Sequence, residues 1–203
     1  MYRFIFKFLI IVLFFNCSFS YSLSENPVDC LRNINRNILS IMENNIHLSE
    51  DKLNEVVGSY IISHINFNEM CLWIVGKSLW RSISIDKQND FINEFKKLVL
   101  KTYSITLNKY IKYNVIFFPN NNFDIKNIKQ NCKIQISSEI EILEGGKNLH
   151  VDYRLIFIKN SWQLYDLIIE GVSILKGFQA QFSNDIKKNG IDFIINKIKQ
   201  HNL

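Results

Sequence analysis

The sequence predicts an α+β fold: a curled four-stranded antiparallel sheet covered on one face by several helices. Three observations predict it. Apolar residues keep helical spacing through the first half of the chain, period-two alternation replaces that spacing from Tyr113 to Ile169, and helical spacing returns after Gly171. Pro27 and Pro119 are the only prolines and the seven glycines are scattered, so no linker or internal repeat divides the chain.

The helices come first. From Pro27 to about Asn45, Val28, Leu31, Ile34, Ile38 and Ile41 recur at intervals of three and four, which places them on one helix face. Ser49, followed by Glu50 and Asp51, reads as the cap of a second helix whose buried stripe is Leu53, Val56, Val57, Tyr60 and Ile61. A third helical region over 66–77 carries Phe67, Met70, Trp73 and Ile74, and Gly76 interrupts it before Leu79 and Trp80. Ser84 caps a long helix from Ile85 to Ile111 with the stripe Phe91, Phe95, Leu98, Tyr103, Leu107 and Tyr110; Asp86, Asp90, Glu94, Lys96, Lys97 and Lys101 make its wet face.

The strands follow as a meander. Val115 to Phe118 ends at Pro119 and the turn Asn120-Asn121-Asn122. Cys132 to Leu143 alternates and closes in the hairpin turn Glu144-Gly145-Gly146-Lys147. Leu149, Val151, Tyr153, Leu155 and Phe157 alternate with His150, Asp152 and Arg154; Lys159-Asn160 then turns the chain into the run from Trp162 to Ile169. Val172, Leu175, Phe178, Gln179 and Phe182 begin a further helix that stops at Gly190, and Ile191, Phe193, Ile194, Ile195 and Ile198 mark a short terminal one.

The amino terminus reads as an address. Arg3 and Lys7 precede the apolar run FLIIVLFF (Phe8 to Phe15), and small residues between Ser18 and Ser22 offer a cleavage site. A membrane span wants about 20 apolar residues, and this run breaks at Asn16. Residues 1–22 are therefore expected to be a signal peptide and 23–203 the folded domain, of a size for a single core. Of the 24 basic residues, 22 remain without Arg3 and Lys7; against 19 acidic ones that is a net charge of +3. Interspersed charge of that size does not point to nucleic acid. Cys30, Cys71 and Cys132 remain in the exported part, an odd number without metal-ligand spacing, so no metal is expected.

Patterns for catalysis are weak. Ser173 in Glu170-Gly171-Val172-Ser173-Ile174-Leu175 lacks the glycine two residues later that a nucleophile elbow needs, and fits a helix cap. His47, His64, His150 and His201 form no ligand pattern. The chain is accordingly not expected to be an enzyme. Asp166 and Glu170 fall late in an apolar strand, where Arg81 or Arg154 would form a structural ion pair with one of them; contact of Arg81 with a lipid headgroup is the sharper alternative. What remains is a surplus of large apolar side chains, which either fills the interior or lines a cavity.

A set of ordered fragments bears on that choice. Leu79-Trp80-Arg81, Phe91 and Phe95, Tyr103, Leu107 and Tyr110, Val151-Asp152-Tyr153, Trp162 with Tyr165-Asp166, Glu170-Gly171-Val172-Ser173, Gln181-Phe182 and the final Gly190 with its Ile-rich helix resemble the MlaC (toluene-tolerance) family of periplasmic phospholipid-binding proteins. The resemblance covers about Leu48 to Leu203; the chain departs from the family pattern at Asn66-Phe67-Asn68 and at Gln179.

The resemblance implies a shuttle in the periplasm of a Gram-negative bacterium, carrying phospholipid as cargo and maintaining the lipid asymmetry of the outer membrane. Its implied partners are an inner-membrane ABC-transporter complex with a membrane-anchored substrate-binding subunit, and an outer-membrane lipoprotein–porin complex. It implies no cofactor. Two acyl chains hold roughly thirty methylenes, whose exposure to water at about 0.8 kcal/mol each costs on the order of 25 kcal/mol, so such a carrier needs a dry pocket between sheet and helices. The expected lining is Phe67, Trp80, Phe95, Tyr103, Leu107, Val151, Tyr153, Leu155, Val172 and Leu175, with Arg81, Asp166 and Glu170 as headgroup or ion-pair residues. An exported adaptor with a filled core and no ligand is the alternative.

Overall fold

In the computed structural model of the chain the described residues are 26–107, 113–118, 128–142 and 147–202, and the side chains of 103–107 and 142 are not among what is described. The expected leader, the Asn-rich turn, most of the Glu144 to Lys147 turn and the side chains of Tyr103, Leu107 and Tyr110 lie outside these residues. Helix α1 runs over Pro27–Asn44, where Pro27 pre-sets the first turn and the Asn26 side chain accepts from the Val28 N–H at 2.9 Å. Helix α2 is Glu50–Ser63 and α3 is Phe67–Val75, the latter capped by Asn66, whose side chain accepts from the Glu69 N–H at 2.8 Å. Gly76, at φ 91°, breaks the path between α3 and α4 (Lys77–Ser82), a conformation that a side chain would strain. The long helix α5, Ile85–Leu107, starts as expected with Ser84 Oγ accepting from the Lys87 N–H at 3.3 Å.

The sheet has five strands in the order β1-β2-β3-β4-β5, each antiparallel to its neighbour: Tyr113–Phe117, Lys133–Ile142, Leu149–Ile158, Ser161–Ile169 and Val172–Ser173. The α+β class is as expected, with one strand more. Val172 and Ser173 do not open the last helix but fold back as β5 on Ile169 and Ile168, and α6 begins at Ile174 and runs to Asn202. Gly190, at φ 80° and ψ 177°, breaks α6 where the sequence places a stop. Residues 64–66 cover the free edge of β4: Leu164 N–H donates to His64 O at 2.9 Å and Asn66 N–H to Leu164 O at 2.7 Å.

Helices pack on both faces of the sheet. On one, Phe67, Met70, Cys71 and Ile74 of α3, Phe91 and Phe95 of α5, and Phe178, Phe182 and Ile194 of α6 form a buried cluster with Ile156 and Tyr165. On the other, Val28 and Leu31 of α1 pack with Ile136, Leu155, Phe157 and Trp162.

Two expected stripe positions and one expected wet-face position come out differently. Val56 is 41 % exposed, because α2 turns Asn54, Val57 and Gly58 inward instead; a Cβ on Gly58 would stand 2.7 Å from Leu100 Cδ2, so any larger residue there forces the Leu100 side chain to shift. Trp73 is 39 % exposed, its Nε1–H donating to Glu69 Oε1 at 2.6 Å with the ammonium groups of Lys77 and Lys133 each 5.3 Å from its ring. Glu94, expected on the wet face, is buried and accepts from Lys97 Nζ at 2.8 Å and Asn202 Nδ2 at 3.2 Å; the Lys97 hydrogen bond holds its carboxyl below the ordinary carboxylate range.

Candidate functional site

The site is built on the sheet face that α1 crosses. Residues opposite one another in an antiparallel pair share a face. The register therefore sets Tyr153 beside Ile136 and Leu167, Leu155 beside Ile134 and Leu164, and Val151 beside Ser138 and Ile169. A β-bulge keeps this face apolar. Arg154 pairs with Asp166 but Leu155 with Leu164, so Tyr165 is the extra residue on β4, and it and Asp166 both turn to the opposite face. Trp162, Leu164, Leu167 and Ile169 are thereby kept in phase.

Much of this face is not closed. Leu155, Ile136, Phe157 and Trp162 are buried, but Tyr153, Leu164, Leu167, Ile134, Ile140 and Leu149 are only half-buried. Helix α1 reaches over it toward β1: Arg32 lies 5.7 Å from the Phe117 ring centre, and Tyr113 donates to Asn35 Oδ1 at 2.9 Å. The Phe117 and Tyr153 rings are 6.0 Å apart. Desolvation pushes the Tyr153 phenol up to about 12, against the opposing effect of a hydrogen bond with Ser138. Tyr113 is raised by burial in the same direction.

The expected lining residues divide into two sets. Val151, Tyr153 and Leu155 lie together on this apolar face. Phe67, Trp80, Phe95 and Leu175 lie across the sheet in the helix-side cluster, where Phe95 meets Phe67 at 6.2 Å and Phe178 at 4.9 Å, ring centre to ring centre. Val172 is 70 % exposed, since β5 is an edge strand. The side chains of Tyr103 and Leu107 lie outside the described residues. Sequence reasoning missed Ile136, Leu164 and Leu167; their period-two phase against Val151, Tyr153 and Leu155 was the available signal, once the bulge is known.

The expected pairing of Arg81 with Asp166 or Glu170 is not formed. Arg81 is exposed on α4. Asp166 instead takes Arg154 Nη1 at 3.1 Å, from the strand beside it, along with Ser173 Oγ–H at 2.7 Å and Leu175 N–H at 2.9 Å. Ser173 Oγ accepts from Lys176 N–H at 3.0 Å, which makes it the helix cap that its sequence context suggests. Glu170 accepts from the His150 N–H at 2.7 Å, a bond that holds its carboxyl below the ordinary range, and stands 3.7 Å from Lys147 Nζ. Among the described residues no group of three or more His, Cys, Asp or Glu side chains is placed to hold a metal ion, and no helix is long and apolar enough to cross a membrane.

Comparison with known proteins agrees with the architecture. A phospholipid-binding protein from Ralstonia solanacearum, solved in complex with a phospholipid, superposes with a TM-score of 0.71 at 20 % identity, over 86 % of this chain and 95 % of that one. The intermembrane phospholipid transport system binding protein MlaC of Haemophilus influenzae is 25 % identical over 167 residues, 73 % of this chain and 67 % of that protein. The MlaC protein family matches residues 32–200, from the second turn of α1 to the last turn of α6. With the whole sheet and all but the outer ends of α1 and α6 inside that span, the chain belongs to the MlaC family.

Proposed function

We propose that this chain binds a phospholipid and carries it between membranes, its acyl chains lying against the apolar sheet face under α1. The observation that carries the reading is that Tyr153, Leu164 and Leu167 stand in register on one apolar face and remain half-buried, as surface meant for a guest would be. The family and the relatives named for phospholipid support it. The proposed lining is Val151, Tyr153 and Leu155, extended by Ile136, Leu164 and Leu167. The filled aromatic cluster around Phe67 and Phe95 is then the rigid wall behind the sheet and not the pocket.

In this reading function is partition: apolar area removed from water holds the chains, while the headgroup stays at the surface. Residues 1–22 act as a cleaved export signal, the domain of 23–203 works in the periplasm of a Gram-negative bacterium, and cargo passes between the inner-membrane ABC-transporter complex and the outer-membrane lipoprotein–porin complex, maintaining outer-membrane asymmetry. The tight aromatic packing on the helix side favours one other reading, an exported adaptor without ligand. Native mass spectrometry of the protein purified from the periplasm without detergent decides between them. A mass excess equal to one phospholipid, lost on denaturation and identified after organic extraction, supports the carrier; a clean apo mass overturns it in favour of the adaptor.

A further inference from the structure

The apolar face is graded along β4. At the Phe157–Trp162 rung both side chains are 4 % exposed, beneath α1. At the Val151–Ile169 rung Val151 is still buried at 3 %, while Ile169 is 38 % exposed. Val172, opposite Ile169 on β5, is 70 % exposed. A single exposed valine is ordinary on any protein surface. Here, however, two apolar side chains adjoin across β4 and β5 in the rung of buried Val151, so apolar side chains follow one another from the interior out to water.

The turn beside this pair is anchored through Glu170. Glu170 and Gly171 take φ 48° and 79° to reverse the chain, the Glu170 N–H donates to His150 O at 2.9 Å, and its carboxylate accepts from the His150 N–H. The Glu170 N–H and carboxylate are thus tied to β3, beside the Ile169–Val172 pair.

We infer that Ile169 and Val172 form the lip over which acyl chains enter and leave the apolar face. This rests on the carrier reading and adds the route to it. A chain that leaves through water exposes its methylenes one after another, whereas an apolar lip covers some of them during passage and lowers the barrier without changing the depth of the bound state. The lip therefore sets the exchange rate, and Tyr153 and Leu155, deeper in, set the affinity.

The test is the uptake of a phospholipid with a fluorescent acyl chain from phosphatidylethanolamine–phosphatidylglycerol vesicles, followed by stopped flow to its end point. In Val172→Asp a carboxylate stands on the route while the core is untouched, and we expect uptake about tenfold slower, the effect of losing cover over roughly two methylenes, at an unchanged end point. Phe193→Asp, at a 44 % exposed apolar position on α6, is expected to match wild type. No uptake by the wild-type protein overturns the carrier reading and the lip with it. Wild-type uptake matched in rate by Val172→Asp overturns the lip alone. So does a folded Val172→Asp protein that loses the end point as well, because Val172 is then part of the pocket.

Discussion

Arg154 and Asp166 meet across β3 and β4 with Nη1 and Oδ2 3.1 Å apart, and the two are unequally placed: the Asp166 side chain is wholly out of solvent, that of Arg154 30 % exposed. Asp166 also accepts from the Ser173 hydroxyl and the Leu175 N–H, so one carboxylate joins the bulge, the short strand β5 and the first turn of α6. Removing it strands three donors at once. Asp166→Ala is expected to cost about 3 kcal/mol in urea unfolding, whereas Arg154→Ala, whose partner keeps two other hydrogen bonds, costs about half as much. Equal losses in the two variants would show that the ion pair, and not the turn, is what Asp166 supports.

Gly58 is a contact of a different kind. Its Cα faces Leu100, and an added Cβ would come within 2.7 Å of Cδ2. Gly58→Val is expected to destabilise by about 2 kcal/mol through overpacking, and Leu100→Ala in the same chain to recover much of that loss. The double-mutant cycle reads the coupling; additive effects would mean that α2 and α5 separate freely.

These two sites also mark where the sequence is readable. Element order, the starts at Pro27 and Ser84, and the breaks at Gly76 and Gly190 are local signals of capping and backbone chirality, and they are legible. The stripe of α2 is legible only in part, since Val57 is buried and Leu53, Tyr60 and Ile61 half-buried but Val56 is not. Its inward face follows Gly58, whose tolerance of close approach is a tertiary property, and Val56 is displaced to solvent as a result. The candidate site divides in the same way. Val151, Tyr153 and Leu155 are legible from alternation alone, but the chain gives no sign that a sheet stands between them and Phe67, Phe95 and Leu175. Periodicity says that a residue faces inward; with helices on both faces of a sheet, it does not say into which layer. The Asp166 partnership was obscured for a related reason: unbroken pairing from the Ile158–Ser161 turn would set Tyr165 opposite Arg154, and only the bulge brings Asp166 there.

Cys71 is fully buried among α3, α5 and α6, and desolvation pushes its thiol far up from its ordinary value. Cys132 is half-buried at the start of β2, on the α1 side of the sheet. Since the thiolate is the reactive form, a disulfide reagent at pH 8 is expected to modify Cys132 at least about a hundredfold faster than Cys71, which reacts only on unfolding. Comparable rates would mean that the helix-side cluster opens readily, against its role as a rigid wall.

Lipid retention should follow depth on the sheet face. Tyr153→Asp places a charge in the middle of the proposed lining, where an acyl chain cannot pair it, and the purified variant is expected to carry less than about a tenth of the wild-type lipid. Lys187→Glu, an exposed change on α6, is expected to keep full occupancy. Circular dichroism checks that both are folded. Full occupancy in a folded Tyr153→Asp would exclude this face as the binding surface.

The same tyrosine gives the protein a pH limit on the alkaline side. Burial raises the Tyr153 phenol to about 12, from about 10 in an unfolded chain, and Tyr113 is raised in the same direction. A group whose folded pKa is raised stabilises the fold fully below its unfolded pKa, and that stability is lost as pH climbs through the folded value. Unfolding free energy is therefore expected to be flat from neutrality to about pH 10 and to fall by on the order of 2 to 3 kcal/mol by pH 12 from Tyr153 alone. Tyr153→Phe cannot ionise, and its curve should fall less steeply over that window. Phospholipid bound against the ring would desolvate it further, so saturating lipid should move the wild-type decline to higher pH and leave that of Tyr153→Phe comparatively unmoved. Urea unfolding at stepped pH, with phenolate absorbance near 295 nm followed in parallel, checks both. A Tyr153→Phe curve that coincides with wild type would mean that the phenol meets water in the folded protein, and that this part of the face is wet.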